Sequence, residues 1–189
     1  ASDRLTVEAD QEYLLYVEDT PDVFEAALPV LTELAHSLQI GFEHCRGAWR
    51  AAQLIKKRLP RVLLSDLHIQ RSESPEEQAL ERYGIEFLLL FMKTAEARGF
   101  LPPVWLFTGE DPASVKRQFA QRFAESSWVW LNVEGASEAD LAGQGAVCVM
   151  PQKRPQDVDL AWLTALLRAT NPAPDLEFAA EATAEPTTP

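Results

Sequence analysis

The 189-residue chain reads as an α/β protein built on a doubly wound, mostly parallel sheet with helices on both faces. Three observations predict this class. Apolar stretches of strand length alternate with stretches of helical period along most of the chain. Val62-Leu63-Leu64 is apolar on both faces, as a parallel strand buried between helices must be. A capping residue followed by proline occurs at Thr20-Pro21 and again at Asp111-Pro112, marking two helix starts.

Tyr13 to Val17 predicts the first strand, an apolar run ending in acids. From Thr20 a helix is expected through Phe24, Leu28, Leu31, Ala35 and Leu38, with Gly41 as its stop before an extended stretch at Phe42 to Cys45. The second helix carries Trp49, Ala52, Ile55 and Leu59 on one side and Lys56, Lys57 and Arg58 toward water, and Pro60 closes it. After the strand at 62–64, the polar segment Gln70 to Tyr83 reads as a long loop and Ile85 to Arg98 as an unusually apolar helix. Pro102-Pro103 leads into a strand at Val104 to Phe107. The helix from Asp111 presents Val115, Phe119 and Phe123 on one face opposite Lys116, Arg117 and Arg122. Trp128 to Val133 reads as an extra strand, Ser137 to Ala142 as a short helix, Ala146 to Met150 as a further strand, and Asp157 to Arg168 as a last helix packed through Leu160, Leu163 and Leu167.

Composition narrows the function classes. Seventeen Lys and Arg against 29 Asp and Glu give a net charge of -12, which repels a phosphate backbone, so no nucleic-acid partner is expected. The longest apolar run, Phe87 to Met92, is far too short to span a bilayer, and the first ten residues lack the pattern of a signal peptide. A cytoplasmic protein without membrane contact is the expectation. Cys45 and Cys148 are too few for a disulfide framework and are expected to pack as small apolar residues. Residues 1–10 form an N-terminal arm, 11–171 the folded domain, and 172–189 a tail with four prolines, four acids and no basic residue, which is expected to be disordered.

In sheets of this kind the site lies at the carboxyl ends of the strands. The residues there are Glu18 and Asp19 after the first strand, Asp66 after the third, Thr108 after the fourth and Lys153 shortly after the last. Carboxylates brought to one edge repel each other unless a cation neutralises them, and hard oxygen ligands suit magnesium. A hydroxyl and an ammonium suit phosphoryl oxygens. The residues alone point to an acidic magnesium site beside a phosphate site.

Taken in order, Tyr13-Leu-Leu-Tyr-Val-Glu-Asp-Thr-Pro-Asp22, Arg61-Val-Leu-Leu-Ser-Asp-Leu67, Gly84-Ile-Glu-Phe-Leu88, Pro103-Val-Trp-Leu-Phe-Thr-Gly109 and Lys153 resemble the receiver domains of two-component response regulators. The resemblance runs from about Tyr13 to Arg168. It implies a flavodoxin-like sheet of five strands in the order 2-1-3-4-5, to which 128–133 adds a strand. It also implies that Asp66 accepts a phosphoryl group from a histidine kinase or phosphotransfer protein. Mg²⁺ would be held by Glu18, Asp19, Asp66 and the backbone carbonyl of His68, and Thr108 and Lys153 would contact the phosphoryl oxygens. Conventional turnover is not expected beyond self-catalysed phosphoryl transfer and autodephosphorylation. Movement of Thr108 toward the new phosphate would shift the surface at Val115 to Arg122, the expected face for a downstream protein partner.

The chain departs from the family pattern in four places. Insertions fall near 70–83 and 124–145, the strand Ala146 to Met150 offers no Tyr or Phe for the usual aromatic switch, and Arg154 separates Lys153 from Pro155. A second expectation is therefore a phosphorylation-independent binding or dimerisation module of the same fold. A magnesium-dependent phosphatase with an aspartyl intermediate ranks third, because His68 stands where such enzymes carry their acid. His36, His44 and His68 have no metal-ligand spacing and are expected to pack or lie at the surface. Trp128 and Trp130 share one strand face, either an open partner site or buried beneath the helix at 137–142.

Overall fold

The computed structural model describes residues 12–67, 83–108, 111–122, 127–133, 136–143, 145–150 and 164–165. Within them, β1 (Tyr13–Val17), β2 (Gly41–Cys45), β3 (Val62–Asp66), β4 (Val104–Phe107), β5 (Val129–Asn132) and β6 (Ala146–Met150) join in one sheet. Every neighbouring pair is parallel, and the order is β2-β1-β3-β4-β6-β5. The five strands of the expected 2-1-3-4-5 order are present, with Ala146–Met150 taking the fifth place, and the extra strand β5 is added outside it. The chain thus runs from β4 out to the edge, then turns back to lay β6 between the two.

Parallel sheets need cover on both faces, and the strand sequences supply it. In β1, β3, β4 and β6 nearly every residue is buried, with alternate side chains entering different layers. Tyr13, Leu15, Val17, Leu63, Val104, Leu106 and Val147 pack with α2 (Ala48–Lys57), α3 (Tyr83–Arg98) and α4 (Pro112–Arg122). Leu14, Tyr16, Val62, Leu64, Trp105, Phe107 and Cys148 pack on the opposite side with α1 (Pro21–Ser37) and α5 (Glu138–Ala142). Both cysteines are buried and neither is in a disulfide, as their sparse spacing implies.

Local chemistry fixes where the helices stop. α1 ends in a Schellman arrangement in which the Ile40 N–H donates to the Ala35 carbonyl and the Gln39 N–H to that of His36. The left-handed residue of that turn is Gln39, at φ 56°, and the expected stop, Gly41, instead opens β2. At the end of α3 the equivalent left-handed position is a glycine, Gly99. α2 is finished from outside: Arg98 donates to the carbonyls of Ile55 and Lys56, and the Tyr13 hydroxyl donates to that of Arg58.

Two tryptophan expectations change. Trp49 is 63% exposed, because the inward stripe of α2 is Ala48, Ala51, Ala52 and Ile55, which leaves Trp49 on the outer side with Gln53 and Lys56. Trp128 is buried and Trp130 half-buried, so that strand face is closed. The cover is α3 and α4, not the helix at 137–142, which lies on the other side of the sheet: Trp128 meets Phe91 at 6.1 Å between ring centroids and Trp130 meets Phe119 at 5.3 Å. Gly145 is required behind this strand, since at φ +74° a Cβ would stand 2.9 Å from the Ser127 carbonyl oxygen.

Candidate functional site at the carboxyl edge of the sheet

The strand order reverses between β1 and β3. After β1 the chain crosses to α1 on one face, whereas after β3 it proceeds to α3 on the other, so a crevice opens between their carboxyl ends. Register decides which side chains stand at this edge. Val17 pairs with Ser65 and Asp66 with Phe107, so Glu18 falls level with Asp66 and Thr108 one step beyond it on the next strand. Alternation then sends Glu18 and Asp66 toward the α1 side, the side of Tyr16.

Electrostatics agrees with that placement. Glu18 is only 3% exposed, and its carboxyl is pushed up from 4.5 to about 8, chiefly by burial, then by the charges of Asp66 and Asp19. Hydrogen bonds from Thr20 work in the opposite sense. The Tyr16 phenol is also raised, first by burial and then by Glu18 and Asp66. Carboxylates that act on one another in this way form a region of concentrated negative potential.

The acidic loop is tied down at each residue. Glu18 N–H continues the β1–β2 ladder by donating to the Cys45 carbonyl at 3.1 Å. Thr20 caps α1, but not through its own side chain as its sequence position implied. Its N–H donates to Glu18 Oε1 at 3.1 Å, and its hydroxyl donates to Asp19 Oδ1 at 3.3 Å. The Glu18 carbonyl oxygen accepts a hydrogen bond from His44 Nε2 at 2.8 Å. His44 has no site spacing in the sequence; the structure pairs it with Tyr16, one residue before the end of β2.

Of the expected site residues, Glu18, Asp19, Asp66 and Thr108 share this edge, with Thr108 buried at its position after β4. His68 and Lys153 lie outside the described residues, as do 70–82, Phe123 and most of the expected last helix. Among the described residues no group of three or more His, Cys, Asp or Glu side chains is gathered closely enough to cage a metal ion alone. Magnesium does not demand such a cage, because it keeps several of its waters. Glu18, whose carboxyl is raised first by burial and then by the charges of Asp66 and Asp19, would supply an oxygen donor to such an ion once its proton is displaced.

Glu18 makes metal-free stability depend on pH. Its native carboxyl keeps a proton up to about 8, whereas the unfolded one releases it near 4.5, so between these values the native state binds more protons. Raising the pH therefore favours unfolding through this group, by at most about 1.4 kcal/mol per pH unit. Urea unfolding of wild type and Glu18→Gln between pH 5 and 8, without divalent cations, is expected to show a shallower decline in the variant. Parallel declines would contradict it.

No family model matches the chain. No curated protein matches it either. Solved structures do. The signal receiver domain of an HD domain-containing protein from Pseudomonas fluorescens Pf-5 is 15% identical with a TM-score of 0.46, over 90% of this chain and 98% of that one. A sensor protein from Polaromonas sp. JS666 is 14% identical with a TM-score of 0.47, over 84% of this chain and 94% of its own. The RcsB response regulator of Salmonella typhimurium is 12% identical with a TM-score of 0.46, over 95% of this chain and 71% of its own. Signal receiver domains of response regulators are thus among the structures similar to this chain. No helix among the described residues is long and apolar enough to cross a membrane.

Proposed function

We propose that the chain is a phosphorylatable receiver in which Asp66 accepts a phosphoryl group and the signal leaves through protein contacts. The observation that carries this reading is the register that brings Glu18, Asp19, Asp66 and Thr108 to one edge at the switch point of the sheet. In the step itself an Asp66 carboxylate oxygen bonds to phosphorus while the bond from phosphorus to the donor breaks, a phosphohistidine imidazole leaving with its electron pair. Glu18, Asp19, Asp66 and the His68 carbonyl would hold Mg²⁺, which when bound supplies positive charge for the transferring oxygens. Thr108, at the end of β4, would donate its hydroxyl to one of those oxygens, and Lys153 would supply an ammonium to another. The partners implied are a histidine kinase or phosphotransfer protein and a downstream protein.

The structural support is the placement of acids and hydroxyl. Asp66 needs no adjacent base, because a carboxylate oxygen attacks without first giving up a proton and has only to be aligned with phosphorus. A second reading, a binding module without phosphotransfer, is favoured by β6: its sequence AVCVM carries no aromatic side chain that could follow Thr108. One experiment separates the two. Incubation of the protein with acetyl phosphate and Mg²⁺ is expected to add a single phosphoryl group by intact mass, and EDTA is expected to abolish the gain. A folded protein that gains no mass would favour the binding-module reading instead.

A further inference from the structure

We propose that His44 is a positioning residue for the acidic loop, fixing Glu18 and Asp19 in the orientation a divalent cation needs. Its ring stacks on Phe24 with centroids 3.6 Å apart and planes 7° from parallel, and lies 5.9 Å from the Tyr16 ring. From that clamp Nε2 reaches the Glu18 carbonyl at 2.8 Å. A carbonyl oxygen can only accept, so Nε2 carries the proton. One side chain therefore joins β2, the end of β1 and the first turns of α1, the three pieces of backbone between which the acidic loop is suspended.

The direction of cause follows from what else the loop needs. Glu18, Asp19 and Asp66 stand at one edge of the sheet, and the polar turn that carries the first two is held there by its hydrogen bonds. The Glu18 N–H is held by the sheet and the Thr20 N–H by the Glu18 carboxylate, so the Glu18 carbonyl is the peptide group whose direction His44 decides. Rotation of that peptide would carry Asp19 away from the crevice. Groups that orient ligands in this manner change metal affinity by roughly 10- to 100-fold when removed. His44 touches no reacting atom and acts only through the loop.

The inference rests on the proposed magnesium site, and its test keeps the two apart. His44→Phe retains a ring to stack on Phe24 but has no donor; His44→Gln retains an N–H at a similar reach but no ring. Mg²⁺ affinity of the folded full chain is expected to fall about tenfold in His44→Phe and to return most of the way in His44→Gln. In the metal-free proteins, hydrogen exchange at the Thr20 amide is expected to quicken in His44→Phe and to stay near wild type in His44→Gln. Wild-type affinity together with unchanged Thr20 exchange in His44→Phe would overturn the role of His44. Absence of saturable Mg²⁺ binding by the wild type would instead remove the metal site, while Thr20 exchange still decided whether His44 holds the loop.

Discussion

Asp66→Asn is expected to lower phosphoryl incorporation from acetyl phosphate at least about a hundredfold, to the background of the assay, because an amide is not a nucleophile toward phosphorus. Loss of activity alone would also follow from misfolding, and here the electrostatics of the edge supplies a control. Burial is the larger cause of the raised Glu18 carboxyl, and the charge of Asp66 is the next. Replacing that charge by a neutral amide of the same shape removes a repulsion, so the Glu18 value falls and the metal-free protein becomes more stable at pH 8. A gain on the order of 1 kcal/mol is expected, since one pKa unit corresponds to about 1.4 kcal/mol. Intact mass reports the first effect and urea unfolding without divalent cations the second. A variant that is inactive and less stable at pH 8 would mean that Asp66 supports the fold rather than the transfer.

Phe91→Ala is expected to destabilise the protein by about 3–5 kcal/mol, the range for deleting a fully buried phenylalanine ring. Domains of this kind are stable by only ~5–15 kcal/mol, so a large part of the margin would go. Phe91 is fully buried on the sheet-facing side of α3, with Phe87 at 6.4 Å and Trp128 at 6.1 Å between centroids. Its loss leaves a cavity beneath α3 and withdraws the support on which Trp128 rests just before β5. Phe91→Leu, which keeps more of the volume, is expected to cost distinctly less. Urea midpoints at unchanged m-value measure both, and equal small losses would show that the core collapses into the space.

How far the fold could be read from the sequence depends on the range of the forces involved. Strands buried on both faces must be continuous apolar runs, so the runs at 13–17, 62–64, 104–107 and 146–150 stand out in the sequence, and the residues after them mark the edge where acids gather. Glu18, Asp66 and Thr108 were legible for that reason. Trp49 falls outside the buried stripe because the step from Ala48 to Trp49 turns the side chain about 100° around the helix axis, a rotation that an aromatic at near-helical spacing conceals in the sequence. Gln39 took the left-handed turn assigned to Gly41, since the two extra residues of the turn have no pattern of their own. His44 was illegible because its role arises from a stack on Phe24 and a bond to Glu18, contacts made between elements and visible only in three dimensions.

The placement of β6 between β4 and β5 bears on how the chain assembles as it is made. β5 leaves the ribosome before β6, yet its only sheet neighbour among the described strands is β6, so it has nothing to zip onto when it emerges. Until residue 150 is free, the Val104–Phe107 backbone is an open border of the nascent sheet, rich in the apolar residues that other chains could cover. Closure of that half of the molecule is therefore a late, cooperative event in which one strand completes both of its neighbours at once.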